Sequence, residues 1–269
     1  MITLRLQICA SLPAVSEDFG ACRRVLDTAA NLGIRGIEVK LGRDDLISTP
    51  MRKWLVECLP SYDFVVYTHL PYLQGRDNLA SPDEARASRA MSVIRESMEF
   101  SASLGSSMVN THLGVRSGKG PHIPRAASRL SGISSEYGDI EVSVENQESS
   151  CNGILNTPRD VETLVESLPD VKLTYDAGHG NTHGFGVAKF LPVVLGRLRY
   201  LHLHDNMGAR DEHLALGRGN LDIPLLMDRL VEFKGRSGQI PLTLELSPQD
   251  LGPSLSYLRG LVSKDLQIQ

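Results

Sequence analysis

Six side chains able to do chemistry stand singly at the ends of apolar runs: His69, His112, Glu145, Asp176, His202 and Glu245. Three more, His179, Asp211 and His213, follow on the segments just beyond two of those ends. Together the nine supply five imidazoles and four carboxylates. That mixture of nitrogen and oxygen donors suits a divalent ion such as zinc or manganese. One histidine at a strand end is usually a hydrogen-bonded polar residue. Six successive strand ends carrying His, Asp or Glu have little structural use, so a metal site is expected where the chain gathers them.

The densest stretch runs from Leu201 to His213. Taken alone it is equally a hydrogen-bonded loop with solvated charges. His204 falls on the same side as His202, because side chains two apart on a strand share a face. His204, Asp205 and Asn146 are expected to support the ligands or to touch substrate. The remaining histidines, His122 and His183, have weaker cases.

Eight strands must position these residues. They are read at Leu4–Ala10, Arg35–Lys40, Phe64–Thr68, Ser107–Thr111, Ile140–Val144, Val171–Tyr175, Leu198–Leu203 and Ile240–Leu244, from Val/Ile/Leu/Tyr-rich runs closed by polar residues. Helices are expected between them. One is capped by Ser16 and stopped by Gly33, and one around Met51–Leu59 carries Trp54 as a packing residue. Ser81-Pro82-Asp83-Glu84 reads as a capping box opening a helix to Leu104, and Thr157-Pro158 opens another. Further helices are read at Val187–Leu195, Pro224–Phe233 and Pro248–Leu261, and Gly114–Gly120 as a loop. Alternating strands and helices with no shift in composition describe one α/β domain over 1–269, a single (β/α)8 barrel. An open doubly wound sheet is the alternative, but no GxGxxG follows the first strand. In a parallel barrel, the C-terminal strand ends surround one mouth. Residues distant in sequence therefore become neighbours.

Composition narrows the partners. Of 269 residues, 41% are hydrophobic and 22% charged, as in an ordinary globular protein. A net charge of -4 argues against nonspecific polyanion binding. Cys9, Cys22, Cys58 and Cys151 are scattered, with no CxxC pair. The first run is short and contains Arg5, which does not suit a signal peptide. A cytoplasmic location without membrane or obligate protein partners is expected.

These motifs resemble the xylose isomerase-like TIM-barrel superfamily (AP endonuclease family 2), which includes endonuclease IV and many sugar isomerases and epimerases. The resemblance runs nearly end to end. In endonuclease IV nine residues hold three zinc ions, and each has a counterpart here. The resemblance implies His69, His112 and Glu145 for one ion. It implies Glu145, Asp176, His202 and Glu245 for a second, with Glu145 bridging, and His179, Asp211 and His213 for a third. His69-Leu70-Pro71-Tyr72-Leu73 and Leu214-Ala215-Leu216-Gly217-Arg218-Gly219-Asn220 also resemble that family, in which the counterparts of Tyr72 and Leu73 enter DNA at the lesion. Gly178 stands where endonuclease IV has a cysteine, and His204 where it has an asparagine. The first strand lacks the family's early histidine, and Glu38-Val39-Lys40-Leu41 replaces its DNA-contacting loop. Asp176-Ala177-Gly178-His179 and His202-Leu203-His204-Asp205-Asn206 look more like the isomerase and epimerase branch, which usually needs one metal.

Two activities therefore compete. The first is a metal-dependent phosphodiesterase acting at abasic sites in duplex DNA, with Tyr72 and Leu73 overhanging the mouth as a wedge. The second is a metal-dependent isomerase or epimerase of a sugar or sugar phosphate, with Glu145 and Glu245 moving protons on either face. The complete ligand set inclines the sequence toward the phosphodiesterase. A binding-only barrel is the third reading, disfavoured by so many donors at one mouth.

Overall fold

The computed structural model describes residues 4–73, 77–232, 239–262 and 266–269. The strands are β1 (Leu4–Leu12), β2 (Gly36–Lys40), β3 (Val65–His69), β4 (Met108–Thr111), β5 (Glu141–Glu145), β6 (Lys172–Asp176), β7 (Leu198–Leu203), β8 (Gln239–Leu244) and β9 (Leu266–Ile268). The first eight pair in sequence order, all parallel. β1 closes the ring: its Arg5–Ala10 stretch pairs with β8 and its Cys9–Leu12 stretch with β2. The fold is thus a single (β/α)8 barrel. A ninth strand was not legible in the sequence. β9 pairs in parallel with Leu4–Leu6, continuing the edge of β1 that β2 occupies further along.

The helices are α1 (Phe19–Asn31), α2 (Thr49–Cys58), α3 (Glu84–Ser103), α4 (His122–Ser134), α5 (Pro158–Ser167), α6 (Ala177–Thr182), α7 (Gly186–Val194), α8 (Ile223–Glu232) and α9 (Pro248–Leu261). α1 shows why they cover the barrel: it buries Cys22, Val25, Leu26 and Ala29, one stripe at helical spacing. Trp54 of α2 packs edge-on against Phe19 of α1, as a packing residue should.

Two caps differ from expectation. Asp18, not Ser16, caps α1 by accepting the N–H of Ala21, while Ser16 sits in a preceding 3-10 turn. Asp83, not Ser81, caps α3 by accepting from Ala85 and Arg86; the Ser81 hydroxyl instead accepts the N–H of Asp83. In both places a carboxylate takes the helix N-terminus, where negative charge is favoured. Thr157 caps α5 ahead of Pro158 as read, and Asp160 completes a capping box with it. α8 runs from Ile223, and the expected end at Phe233 lies outside the described residues. α4 and α6 were not delineated from sequence. α6 is six residues long with two glycines, too short and too polar to show a period.

The barrel interior is layered. Side chains two apart on a strand face the same way. Tyr200, His202 and His204 on β7 and its end therefore climb one wall. In the lower layer the Tyr67 and Tyr200 rings meet edge-on at 5.3 Å beside Cys9, and their hydroxyls bond to Gln7 and Thr243. The next layer holds Glu38, Asn110, Ser143, Thr174 and His202, joined by hydrogen bonds. The top layer opens at the C-terminal ends of the strands.

Candidate metal centre at the barrel mouth

All nine expected ligands gather at that end; seven of them line a cavity of about 430 Å³, while Asp176 and His202 are fully buried among the others. Residues whose ligating atoms lie within 4.8 Å of one another form overlapping groups. His69, His112 and Glu145 form one, matching the first set implied by resemblance; Glu145, Asp176 and His202 form another, while Glu245 groups with His202 and Glu38.

His202 is the hub of the second set. Its Nδ1 stands 3.2 Å from Glu145 Oε1, 3.3 Å from Glu245 Oε1 and 3.8 Å from Asp176 Oδ2.

The third set is arranged differently from its expectation. Asp211 Oδ2 lies 3.4 Å from His179 Nε2 and 3.0 Å from His213 Nε2. Yet among the described residues the close groups are Asp176, His179 and His204, and His204, His213 and Glu245. His204 lies between them, stacked on His213 at 4.1 Å and 3.1 Å from Asp211 Oδ1. It is placed as a candidate ligand rather than only as a substrate contact.

Hydrogen bonds orient most of the imidazoles. His69 Nδ1 donates to the Leu70 carbonyl, His179 Nδ1 to that of Asn146 and His213 Nδ1 to that of Glu245, at 2.7, 2.8 and 2.9 Å. Each Nε2 is thereby left facing a carboxylate. His202 is reversed: its Nε2 meets Glu38 at 2.8 Å. Histidines tied back in this way are typical of metal ligands.

Burial raises the cost of charge here, and opposite charges offset it. Burial pushes the Glu145 carboxyl up, but His202 and His112 hold it well below the usual range. Asp176 is lowered by His179 and His204 against the same burial, and Glu245 by Lys40, His202 and His213. Burial depresses His202, but Glu145, Glu38 and Glu245 carry it well above the usual imidazole value. His179 is likewise raised, chiefly by Asp176 and Asp211, and His213 by Asp211 and Glu245. Burial keeps His112 below the usual value.

The residues fit a metal. Buried polar atoms should be partnered, yet both ring nitrogens of His112 and of His204, with His202 Nδ1, Asp176 Oδ2 and Asp211 Oδ1, have no hydrogen-bond partner. One nitrogen of each ring and the two carboxylate oxygens are candidate donor atoms, which divalent cations would satisfy.

The remaining expected site residues divide. Tyr72 lines the cavity and packs against His69 and His112. Leu73 does not overhang the mouth; it is 1% exposed and belongs to the hydrophobic core, its N–H bound to the Arg43 carbonyl. Asn146 spends its amide on the backbone N–H and carbonyl of Asp176, tying the end of β5 to that of β6. Asp205 accepts the N–H groups of Asn206, Gly217, Gly219 and Leu221. Both therefore hold the site's backbone, in keeping with the supporting role that the sequence offered them as an alternative to substrate contact.

Two residues of β2 were missed as site residues. Lys40 Nζ lies 2.9 Å from Glu245 Oε1 and near the Tyr72 ring, and Glu38 meets His202. The strand-end reading began at β3. Extending it to β2, with the same two-residue period, finds both.

A closed parallel barrel with histidines and carboxylates ringing its C-terminal mouth defines a (β/α)8 protein built around a mouth-centred site. Residues 26–259 match the xylose isomerase-like TIM barrel family, and this chain belongs to it. An uncharacterised protein of Methanocaldococcus jannaschii is 28% identical over 211 residues, covering 71% of this chain and 68% of its own. A probable endonuclease 4 of Thermotoga neapolitana is 28% identical over 173 residues, covering 57% of this chain and 59% of its own. The crystal structure of a D-tagatose 3-epimerase-like protein superposes with a TM-score of 0.77 at 24% identity, over 95% of this chain and 96% of that one; this likeness is one of fold.

Proposed function

We propose that this chain is a divalent-metal-dependent isomerase or epimerase of a small sugar or sugar phosphate. The observation that carries the proposal is the placement of two carboxylates about one imidazole nitrogen. Glu145 and Glu245 each approach His202 Nδ1, at 3.2 and 3.3 Å. With Asp176 these residues would hold one ion, and zinc and manganese both suit the donors. Such an ion supplies Lewis-acid polarisation of a carbonyl and a neighbouring hydroxyl. Glu145 and Glu245 are both held ionised, as proton acceptors must be. In this reading one carboxylate takes the proton from the carbon beside the carbonyl, and the opposite carboxylate, first protonated from solvent, gives a proton to the other face, after which the first releases its proton to solvent. Lys40 keeps Glu245 charged and oriented. Tyr72 covers part of the cavity and excludes water. A cavity of about 430 Å³ falls within the size of small-molecule pockets, roughly 300–1,000 Å³. The burial of Leu73 removes one half of the DNA wedge that the sequence suggested.

The second reading is a phosphodiesterase acting at abasic sites. The gathering of nine ligand residues with His204 at one mouth favours it, since several ions can share the charge of an attacked phosphate and its leaving oxygen. The test is the variant Asp211→Ala/His213→Ala, compared with the parent for metal content, conversion of ketoses and their phosphates, and cleavage of an abasic duplex. The isomerase reading expects sugar conversion by the parent, retained in the variant, and no cleavage by either. Cleavage by the parent, lost together with about one ion per chain, would overturn it.

A further inference from the structure

Glu38 is fully buried within the barrel, 0% exposed. A bare carboxylate in such a place is costly unless its oxygens are bonded. Both oxygens of Glu38 are. Oε2 lies 2.8 Å and Oε1 3.1 Å from His202 Nε2. Oε1 also accepts from Asn110 Nδ2 at 2.8 Å. Asn110 in turn accepts through its Oδ1 from the Thr174 hydroxyl, which lies 2.7 Å from the Ser143 hydroxyl. Side chains from β2, β4, β5 and β6 thus brace one imidazole on β7.

The arrangement has a chemical consequence. A carboxylate only accepts hydrogen bonds, so the nitrogen between its oxygens carries the hydrogen. That nitrogen is His202 Nε2. In the neutral ring that an ion requires, the lone pair then falls on Nδ1, which has no hydrogen-bond partner and faces Glu145, Glu245 and Asp176. We infer that Glu38 is the positioning residue of the metal centre: it fixes the tautomer and the plane of His202 so that Nδ1 is presented to the ion. The inference rests on the metal reading of the mouth. It does not make Glu38 a ligand, because its oxygens are already engaged by His202 and Asn110. A carboxylate behind a metal-bound imidazole also raises its basicity, and loss of such a partner costs about 10–100-fold in metal affinity.

The experiment compares zinc binding by the parent, Glu38→Gln, Glu38→Asp, His202→Ala and the Glu38→Gln/His202→Ala double variant. Chelator competition gives affinity, elemental analysis gives stoichiometry at saturating zinc, and the cobalt(II)-substituted proteins give ligand-field spectra. Melting of the chelated proteins monitors the fold, and Glu38→Asp, which keeps the charge, covers failure of Glu38→Gln to fold. The expected result is about a 10–100-fold loss of affinity in Glu38→Gln for one class of ion. Stoichiometry at saturation should be unchanged and the cobalt spectrum altered, and Glu38→Asp should fall between this variant and the parent. The loss should vanish when His202 is already absent. Parental affinity and spectrum in Glu38→Gln would overturn the inference, as would an equal loss in the His202→Ala background. An ion missing from Glu38→Gln at saturating zinc would make Glu38 a ligand and also overturn it. A parent that binds no zinc, manganese or cobalt would instead remove the metal reading itself.

Discussion

Gly178 and His204 illustrate what a single residue decides here. A Cβ on Gly178 would lie 2.0 Å from His204 Cε1, so no side chain fits while the imidazole stays in place. The resembling endonuclease IV motifs have cysteine and asparagine at these two positions. The two departures are therefore one change in packing: a small residue at 178 admits a larger ring at 204. Gly178→Ala is expected to destabilise the protein by about 1–3 kcal/mol through overpacking. Adding His204→Asn should recover most of that loss, because contacting residues couple. Denaturant unfolding of the two single variants and the double variant measures the coupling, and additive losses would refute it. Lys40 offers a second prediction at this scale. Its ammonium is a resident cation on Glu245, so Lys40→Met should tighten zinc binding several-fold while weakening turnover. Unchanged zinc affinity would mean that the ammonium and the ion do not compete.

Among the elements, the loop after β7 depends most on one side chain. Asp205 gathers four backbone N–H groups spread from Asn206 to Leu221, at 2.9 to 3.1 Å. Its own backbone pairs both ways with Leu214. Gly219 packs so close that a Cβ would meet the Asn206 carbonyl and Asp205 Oδ1 at 2.3 Å. This loop carries Asp211 and His213 to the mouth. Asp205→Asn keeps the shape but replaces two charged acceptors with one neutral acceptor and an amide donor. It should cost about 1–3 kcal/mol. Hydrogen exchange should quicken at the amides of Gly217, Gly219 and Leu221 before it quickens in the barrel strands. Uniform quickening across the barrel would show that the loop does not open as a local unit.

For the whole molecule, the mouth should couple stability to pH and, on the metal reading, to metal. In chelated protein His179, His202 and His213 have folded values raised above 6.5. Their contribution is complete below 6.5 and is lost as pH rises through the raised values. Glu145, Asp176 and Glu245 are lowered from 4.5, 3.8 and 4.5. Their contribution is present above those ordinary values and is lost as pH falls through the lowered ones. The chelated protein should therefore gain most from these groups between about pH 4.5 and 6.5, and weaken on the alkaline side. Zinc requires unprotonated imidazole, so its stabilisation should grow with pH. At a free concentration about 100 times the dissociation constant it amounts to about 2.7 kcal/mol. Melting temperatures from pH 5 to 9, with chelator and with excess zinc, should diverge as pH rises. A zinc-induced shift that shrinks with pH would contradict this account.

The eight barrel strands and the ring of candidate ligands at their ends were legible in the sequence. Burial on both faces writes a strand as an apolar run, and the polar residue that ends it marks the mouth. The helix start at Thr157 was equally legible, because a cap and the proline that follows it lie within one turn. Tertiary structure decided the rest. Glu38 reaches His202 across 164 positions only because the barrel closes, and no local pattern reports which strand faces which across its interior. Leu73 sits in the core rather than over the mouth because its backbone is tied to Arg43 on another loop. Asp205 and Asn146 look like substrate contacts by position, but they are occupied by backbone groups that fold against them. His204 could be assigned to the inner face by alternation, but its place among the candidate ligands depends on the space left by Gly178. Side-chain direction is a local property of a strand. The partner that each side chain meets is a property of the closed barrel.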